Sequence, residues 1–435
     1  MKVTGIIAEY NPFHKGHKYQ IDTLRAQYQP DYVIVAMSGD FLQRGTPALL
    51  DKYTRAQMAL SQGADLVFEL PAWFATSSAE NFAKGGILLF KSTGITDSLC
   101  FGAESKDLEK MQTLADLLIT EPEWYKDALL SSLKEGLSFP AARKKALPEY
   151  SHLLDTPNNI LAIEYLKALA FYDADITPIS IQRKGSGYHD TDIDAPLASA
   201  SAIRNSIKEN LHLLWESKET SCNELTGQYP FRMHSNILPA ELKEALPDTS
   251  YNIMQNYQWE ASFLWADDFS LLLHHALLRE NAASLLSYED MTPALSNRLL
   301  KQRKDFLSWS DFCNKCNTKD STYARISRIL NHILLNIRKE HLAPYTNTSC
   351  KTLPYLRILG FRQSAAPLLT ALKASAKTPI LTSPAAAEKS LSPEGLAMLE
   401  TDIFASDLYR SVLTQKCQRV YSNEFQRKLL VVKDL

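Results

Sequence analysis

The chain has little of three things that define other protein classes: paired cysteines, long apolar runs and an excess of charge of one sign. Its 435 residues contain six cysteines, and Cys313 and Cys316 form a lone C-x-x-C with no second pair or nearby histidines. This pattern favours reduced thiols over a disulfide framework or a metal site. No apolar run approaches the length of a membrane span, and no cationic and apolar leader is present. We therefore expect a cytoplasmic protein with no membrane partner.

The formal net charge is −2, which excludes a protein coated in basic residues. Any contact with a nucleic acid must then be a local patch. A chain of this length is expected to form two domains, each with its own core. We place an α/β domain over residues 1–215, a polar and irregular connection over 216–254, and a mainly helical domain over 255–435.

The most informative segment is N-terminal, where an apolar run leads through a turn to two histidines. Val3 to Ala8 is typical of a buried parallel strand, and the segment from His14 to His17 should open a helix. The first turn of a helix presents unpaired N–H groups that attract phosphate. Gly16 permits a close approach to the backbone, and the imidazoles can donate hydrogen bonds to a phosphorus centre under attack. The alternative is a pair of surface histidines opening an ordinary helix.

Apolar runs alternate with helical patterns through the first half of the chain. Strands are expected at 31–37, 65–70, 98–104 and 179–183, and helices at 52–62, 78–90 and 160–169. This alternation predicts an α/β fold with a Rossmann-like, doubly wound parallel sheet, whose ligands sit beyond the carboxyl ends of the strands. In the second half, helices are expected at 261–278, 284–306, 323–337 and 397–413, with short strands at 379–382 and 429–432.

Further motifs follow the later strands of the first half. Gly102 ends a strand where a side chain would block a nucleotide, although a plain turn glycine accounts for it equally well. The Asn158-Asn159 pair opens a helix, so one amide is expected to be a helix cap and the other a ligand for a base or ribose. Arg183 and Lys184 follow a strand and suit phosphate oxygens, but solvated surface cations give the same pattern.

One more cation stands at an unusual place. Ser201 and Arg204 lie at the beginning of a predicted helix. Cations normally favour the carboxyl end of a helix, so an arginine in the first turn indicates a bound anion.

The His14-x-Gly-His17 motif resembles the signature of the nucleotidylyltransferases, a Rossmann-like superfamily that attacks the α-phosphate of a nucleoside triphosphate and releases pyrophosphate. The wider pattern resembles the tRNA(Met) cytidine acetate ligase family more specifically. That resemblance is carried by the segments 5–17, 39–48, 51–56, 101–104, 157–161 and 185–190, and more loosely by 323–328, 356–361 and 423–425. One departure is Ser-Ala-Ser-Ala-Ile-Arg at 199–204, where the superfamily more often has Ser-Ser-Thr-x-Ile-Arg.

The resemblance implies an ATP-dependent ligase that makes acetyl-adenylate from acetate and ATP. It would then pass the acetyl group to the exocyclic amine of the wobble cytidine in elongator tRNA(Met), giving N(4)-acetylcytidine. His14 and His17 would be the catalytic residues, and Lys15, Arg183 and Arg204 would clamp phosphates. Mg²⁺ would arrive on the triphosphate, because few other groups neutralise it.

The ATP contacts expected from the motifs and the resemblance are Ile7, Ala8, Glu9, Tyr10, Asn11, Pro12, Phe13, His14, Lys15, Gly16, His17, Lys18, Tyr19, Gln20, Gly102, Asn158, Asn159, Arg183, Lys184, Ser201 and Arg204. Either asparagine of the pair matches the family's ATP-binding position.

A basic segment in the second half can supply the tRNA contacts. Residues 298–345 contain ten Lys/Arg against four acids, and the helix predicted at 323–337 has one apolar face and one lined by Arg325, Arg328 and His332. A basic helix face can follow a phosphate backbone, although a charged face is more often only solvated. The expected tRNA contacts are Arg303, Lys304, Arg325 and Arg328. No DNA partner is expected.

Two other functions remain open at this stage. The same His-x-Gly-His chemistry serves small-molecule nucleotidylyltransferases of coenzyme biosynthesis, although such enzymes often need little beyond the catalytic domain. The other function is that of a non-catalytic RNA-binding protein with a vestigial nucleotide site. The intact motif residues argue against it: His14, Gly16, His17 and Arg204.

Overall fold

The structure is a computed structural model that describes residues 1–184, 197–216, 238–347 and 350–434. The family motif at 185–190 and much of the expected connection at 216–254 lie outside the described residues.

One sheet runs through the described part of the chain, in the order β5-β4-β1-β2-β3-β6-β7, with β8 also paired to β6. The strands are β1 (Val3–Ala8), β2 (Tyr32–Ser38), β3 (Leu66–Leu70), β4 (Ser98–Ala103), β5 (Thr177–Gln182), β6 (Leu356–Arg362), β7 (Ile380–Leu381) and β8 (Leu430–Val432). The first five run parallel to one another. The predicted Rossmann-like sheet is thereby confirmed.

Helices flank this sheet. In the first half they are α1 (Lys15–Tyr28), α2 (Lys52–Ser61), α3 (Ala72–Ala75), α4 (Ala79–Thr93), α5 (Leu108–Thr120), α6 (Glu123–Lys134), α7 (Phe139–Ala146), α8 (Pro157–Phe171) and α9 (Ala200–Glu216). Since β1 stands between β2 and β4, the strand order reverses direction at the β1/β4 boundary. Ligands of doubly wound sheets bind in the crevice beyond such a point.

The second half contains ten further helices within the described ranges. They are α10 (Leu242–Ala245), α11 (Asp248–Glu260), α12 (Ser270–Arg279), α13 (Ala282–Leu285), α14 (Pro293–Gln302), α15 (Trp309–Cys316), α16 (Tyr323–Leu335), α17 (Lys339–Leu342), α18 (Ala366–Ser375) and α19 (Pro393–Cys417). Among all helices that the structure describes, none has the length and apolar content needed to cross a bilayer.

Two of the helices predicted in the second half are wrong in extent. The helix expected at 261–278 begins only at Ser270, after an irregular stretch and a short 3-10 helix. The one expected at 284–306 is interrupted: Asp290 has φ +60, and Thr292 caps a new helix with Pro293 at its first position. Proline fits the first turn of a helix but not its interior, so the break follows from local chemistry.

The C-terminal strands extend the N-terminal sheet instead of forming a sheet of their own. β6 pairs antiparallel with β3, and β7 and β8 pair parallel with β6. Both short strands expected at 379–382 and 429–432 are confirmed. The domain boundaries proposed from the sequence stay a prediction, but residues 356–432 complete the sheet that residues 3–182 begin.

A buried cluster of four charges joins these two parts of the chain. The Lys52 ammonium lies 2.6 Å from Glu69 Oε1 and 3.3 Å from Glu424 Oε2. Arg357 contacts both carboxylates, with its Nε 3.3 Å from Glu69 Oε2. Burial alone would raise the pKa of Glu424, but Lys52 and Arg357 hold it at about 2. The cluster therefore ties α2 and β3 to β6 and the C-terminal segment.

Removing one member of this cluster should destabilise the whole fold. Lys52→Met leaves Glu69 and Glu424 competing for a single arginine, and breaking a buried pair in this way costs about 3–5 kcal/mol. The measurement is the free energy of unfolding in urea. Lys126→Met is the matched control, because its ammonium meets Glu123 at 3.3 Å on the exposed surface and such pairs contribute about 0–1 kcal/mol. Equal losses in the two variants would contradict the assigned role of the cluster.

Candidate active site

A cleft opens at the carboxyl ends of β1 and β4. The first residues of α4, α8 and α9 line it, together with the end of β1 and the N-cap of α1. Its volume, counted out to the open mouth, is about 1460 Å³. Helix N-termini carry partial positive charge, so their convergence favours an anionic ligand.

The two histidines of the motif cap α1 through the same ring nitrogen. His14 Nδ1 accepts a hydrogen bond from the Gly16 N–H at 3.0 Å, and His17 Nδ1 accepts one from the His14 N–H at 3.3 Å. The rings stack with their centroids 3.8 Å apart. In a neutral imidazole one nitrogen accepts and the other donates. Both Nε2 atoms therefore carry the proton and are available as donors.

Burial keeps both rings neutral. It lowers the pKa of His14 to about 3, with a further contribution from the charges of Arg183 and Arg204. Burial also places the pKa of His17 well below its usual value, helped by His14 and Arg183. Both side chains are thus neutral hydrogen-bond donors at physiological pH.

Gly16 provides space for a ring of the protein itself. A Cβ at this position would lie 2.8 Å from His14 Cε1 and 3.0 Å from His14 Nδ1. Such contacts are closer than side chains tolerate, so any larger residue would displace the His14 ring. From the sequence we explained Gly16 by the close approach of a ligand, and that explanation does not include the space needed by the His14 ring.

Tyr10 packs against the ring of His17. Its ring packs edge-on against Phe13 and His17, with both centroid distances 4.8 Å. The residue is buried, has φ +49, and its hydroxyl has no hydrogen-bond partner among the described residues. Non-glycine residues in this backbone region are strained and cluster at functional sites.

Two arginines face the histidines. Arg204 donates from Nη1 to the Asn11 carbonyl at 2.7 Å and from Nη2 to Ser201 Oγ at 3.1 Å, and burial lowers its pKa to about 10. Arg183 lines the cleft beside Gly102, where a Cβ would lie 3.3 Å from the Arg183 Cγ. Gly102 thus leaves room for the arginine as well as for a ligand.

Asn158 and Asn159 contact Glu104 in different ways. Asn159 is buried, and its Oδ1 accepts from the backbone N–H groups of Glu104 and Ser105, both at 3.0 Å. Asn158 donates from Nδ2 to Glu104 Oε1 at 2.6 Å and lines the cleft, which Asn159 does not. Neither amide caps α8, whose N-cap is Thr156 without a side-chain capping hydrogen bond, so the expected helix cap was wrong. Asn158 is the member of the pair that lines the cleft, and its contact with a ligand stays a prediction.

Most of the predicted ATP contacts come together in this cleft. Its lining includes Ile7, Ala8, Glu9, Tyr10, Asn11, His14, His17, Gln20, Gly102, Asn158, Arg183, Ser201 and Arg204. The lining does not include Pro12, Phe13, Lys15, Gly16, Lys18, Tyr19, Asn159 or Lys184. Lys15 approaches Glu244, Lys18 pairs with Asp22, and Lys184 lies over the ring of Tyr19. Their assignment as ATP contacts stays a prediction.

The cleft also contains residues that the sequence reasoning did not select. They include Gln43, Arg44, Phe82, Phe101 and Tyr165. Gln43 and Arg44 belong to the turn-rich loop after β2, which ends at the same edge of the sheet as β1. Their position after β2 could have identified them from the sequence, because the carboxyl ends of parallel strands form the ligand crevice. Ser327 of α16 holds this loop by donating to the Gly45 carbonyl at 2.8 Å.

The predicted tRNA contacts differ in their surroundings. Arg303 donates to the carbonyls of Leu277 and Glu280, at 2.9 and 2.7 Å, so it closes a helix end. Arg325 and Arg328 both contact Asp290. Lys304 is exposed.

His332 is not on a polar face of α16, as the helical pattern suggested, but in the core. It is buried, its Nε2 lies 3.0 Å from the Thr76 carbonyl oxygen, and burial lowers its pKa to about 4. Cys313 and Cys316 are buried as free thiols. No group of three or more His, Cys, Asp or Glu that could hold a metal ion occurs in the described ranges.

This fold and site define a class. The family model described as HIGH Nucleotidyl Transferase matches residues 1–424. The chain therefore belongs to the HIGH nucleotidyl transferase family, as the motif predicted.

Curated relatives and solved structures place the chain in a subgroup of this family. The tRNA(Met) cytidine acetate ligase of Thermoanaerobacter sp. (strain X514) is 36% identical over 416 residues, covering 94% of this chain and 95% of that protein. The one from Thermosipho melanesiensis is 33% identical, with 99% of both chains covered. The apo crystal structure of Thermotoga maritima TmcAL superposes over both full chains with a TM-score of 0.86 at 30% identity. Its complex with alpha-thio ATP gives a TM-score of 0.84 at 29% identity. Within its class, the chain is a member of the tRNA(Met) cytidine acetate ligases.

A single methyl group at Gly16 should weaken nucleotide binding without harming the fold. Gly16→Ala places a Cβ against the His14 ring, so we expect ATP affinity to fall about tenfold or more, the loss of one charge-assisted hydrogen bond. Isothermal titration with ATP measures this. Gln27→Ala, an exposed position further along α1, is the control. Unchanged ATP affinity of Gly16→Ala would show that the His14 ring position does not matter for the nucleotide.

Proposed function

We propose that this chain is an ATP-dependent tRNA(Met) cytidine acetate ligase. It would activate acetate as acetyl-adenylate and transfer the acetyl group to the wobble cytidine of elongator tRNA(Met). The observation that carries the proposal is the pair of neutral histidines, each with a proton on Nε2, that line a cleft together with Arg183 and Arg204. Membership of a family whose curated relatives bear this name supports it.

In the first step, an acetate oxygen attacks the α-phosphorus of ATP in line with the departing pyrophosphate. The new bond joins acetate to AMP, and the broken bond releases pyrophosphate. His14 and His17 donate hydrogen bonds to phosphate oxygens that gain charge, while Arg183 and Arg204 neutralise the polyphosphate. Positioning and charge stabilisation are most of what such a reaction needs. Because both imidazoles are already neutral donors, no proton has to move before the nucleotide binds.

Mg²⁺ is expected to accompany the triphosphate as part of the substrate. This ion keeps several waters and is usually bound through one or two carboxylates and the substrate phosphates. The cleft lining offers few carboxylates among the described residues, so the substrate phosphates and water would supply the oxygen ligands of this ion.

In the second step, the cytidine amine must reach the acetyl-adenylate. Anticodon loops present unstacked bases that can be turned into a pocket. The contact between Ser327 and the Gly45 carbonyl brings α16, and with it the basic segment 298–345, next to the cleft loop. A tRNA lying along that segment would therefore place its anticodon loop near the histidines.

The activity is tested by pyrophosphate release from ATP in the presence of acetate, other carboxylates and phosphorylated alcohols. We expect release to depend on acetate, and N(4)-acetylcytidine to appear when bulk tRNA is added. His17→Ala should lower adenylate formation at least a hundredfold, because one of two donors to the transferring phosphoryl group is gone, while tRNA affinity stays within a factor of two. Release driven only by a phosphorylated alcohol would make the protein a coenzyme-type transferase.

Exposed lysines of the basic segment should bind the tRNA backbone. Lys301 and Lys304 are exposed, whereas Arg303 between them is committed to backbone carbonyls. The double change Lys301→Glu and Lys304→Glu should weaken tRNA binding about tenfold at low salt and reduce its salt dependence. Filter binding at several salt concentrations measures both. Lys126→Glu on α6 is the control, and equal effects of the two changes would move the tRNA surface elsewhere.

A further inference from the structure

The cleft contains one carboxylate whose role neither the motif nor the first reaction step explains. Glu9 follows β1 and is the only Asp or Glu that lines the cleft within the described residues. Its Oε1 accepts a hydrogen bond from the Gln43 N–H at 2.9 Å. In the part of the chain that the structure describes, Oε2 has no hydrogen-bond partner. Its charge acts to raise the pKa of Arg44, Arg204 and Tyr165.

The acetyl-transfer step needs a proton acceptor, and the other groups of the cleft are unsuited to it. Carboxylates and neutral imidazoles are the usual acceptors near neutral pH. His14 and His17 each use the Nδ1 lone pair for a backbone N–H and carry a proton on Nε2. They can donate but have no free lone pair with which to accept.

The tyrosines and arginines are excluded on similar grounds. Burial raises the pKa of Tyr10 and of Tyr165, so both hydroxyls stay protonated. Arg183 and Arg204 remain cationic at neutral pH, because even the lowered pKa of Arg204 is about 10. The amide and hydroxyl oxygens of the lining accept hydrogen bonds but are too weakly basic to take a proton, so Glu9 is left as the lining side chain that can act as a base.

Resting on the proposed function, we propose that Glu9 is the general base of the acetyl-transfer step. The cytidine amine attacks the carbonyl carbon of acetyl-adenylate, and a C–N bond forms. Oε2 of Glu9 takes the proton that the amine nitrogen must lose. The tetrahedral intermediate then expels AMP by breaking the bond between the acetyl carbon and the phosphate oxygen. Glu9 returns its proton to solvent once the products leave.

This role differs from a purely electrostatic one. If Glu9 only held Arg44 and Arg204 in place, its loss would disturb the phosphates and slow both reaction steps together. If it accepts the amine proton, its loss slows the second step far more than the first. The two steps can be measured separately.

The experiment compares wild type with Glu9→Gln. Acetate-dependent exchange of pyrophosphate with ATP measures the first step, and single-turnover acetylation of tRNA from preformed enzyme-bound acetyl-adenylate measures the second. General-base catalysis contributes about 10²–10⁴-fold, so we expect transfer to fall at least a hundredfold and exchange by less than tenfold. Hydroxylamine, which attacks acetyl-adenylate without a protein base, should give acetohydroxamate at a rate that follows the exchange rate. Equal losses in exchange and transfer would overturn the proposal.

Two further variants and one wild-type measurement distinguish failure of this proposal from failure of the proposed function. Glu244→Gln makes the same chemical change at an exposed glutamate outside the cleft lining, and both steps should stay within a factor of two of wild type. Should Glu9→Gln not fold, the same comparison is made with Glu9→Asp, whose shorter reach should slow transfer more than exchange; equal slowing would again overturn the assignment. Absence of acetate-dependent exchange in the wild type would refute the proposed function itself.

Discussion

The geometry of the cleft depends on buried charged side chains at the carboxyl ends of the strands. Arg55 is fully buried and donates to the carbonyls of Glu9 at 2.7 Å, Ser38 at 3.1 Å and Leu50 at 3.0 Å. It thereby fixes the ends of β1 and β2 relative to each other. One turn away on α2, Lys52 anchors the charge cluster that includes Glu69 of β3 and Arg357 of β6. Buried charges tolerate little displacement, because each must keep its partners.

The histidine pair shows how a fold can prepare a side chain for chemistry. Capping of α1 uses Nδ1 of both rings, and this leaves Nε2–H as the donor on each. Burial then removes the alternative of a charged ring. The protonation state that suits a phosphate ligand is therefore set before any ligand arrives. This is preorganisation of donors, which stabilises developing charge without reorganisation during the reaction.

The sequence predicted the parts of the structure that local patterns determine. Alternating apolar runs located β1 to β5, and the break before His14 located the start of α1. The antiparallel pairing of β6 with β3 was missed, because contacts between residues almost 300 positions apart leave no local periodicity. His332 looked polar on a helical wheel, yet the Thr76 carbonyl makes it a core residue. The two asparagines could be told apart only by the position of Glu104, which reaches them from another element.

Position 14 illustrates how stability and chemistry can select the same amino acid. Serine, aspartate and asparagine cap helices as well as histidine does here, but each is too short to present a donor on the far side of the cap. Lysine or arginine would present a donor and leave the Gly16 N–H without its acceptor. Only an aromatic ring with one nitrogen on each side serves both the helix and the cleft. Variation at this position is therefore constrained twice, and a screen for folded variants alone would find residues there that a screen for active ones would reject.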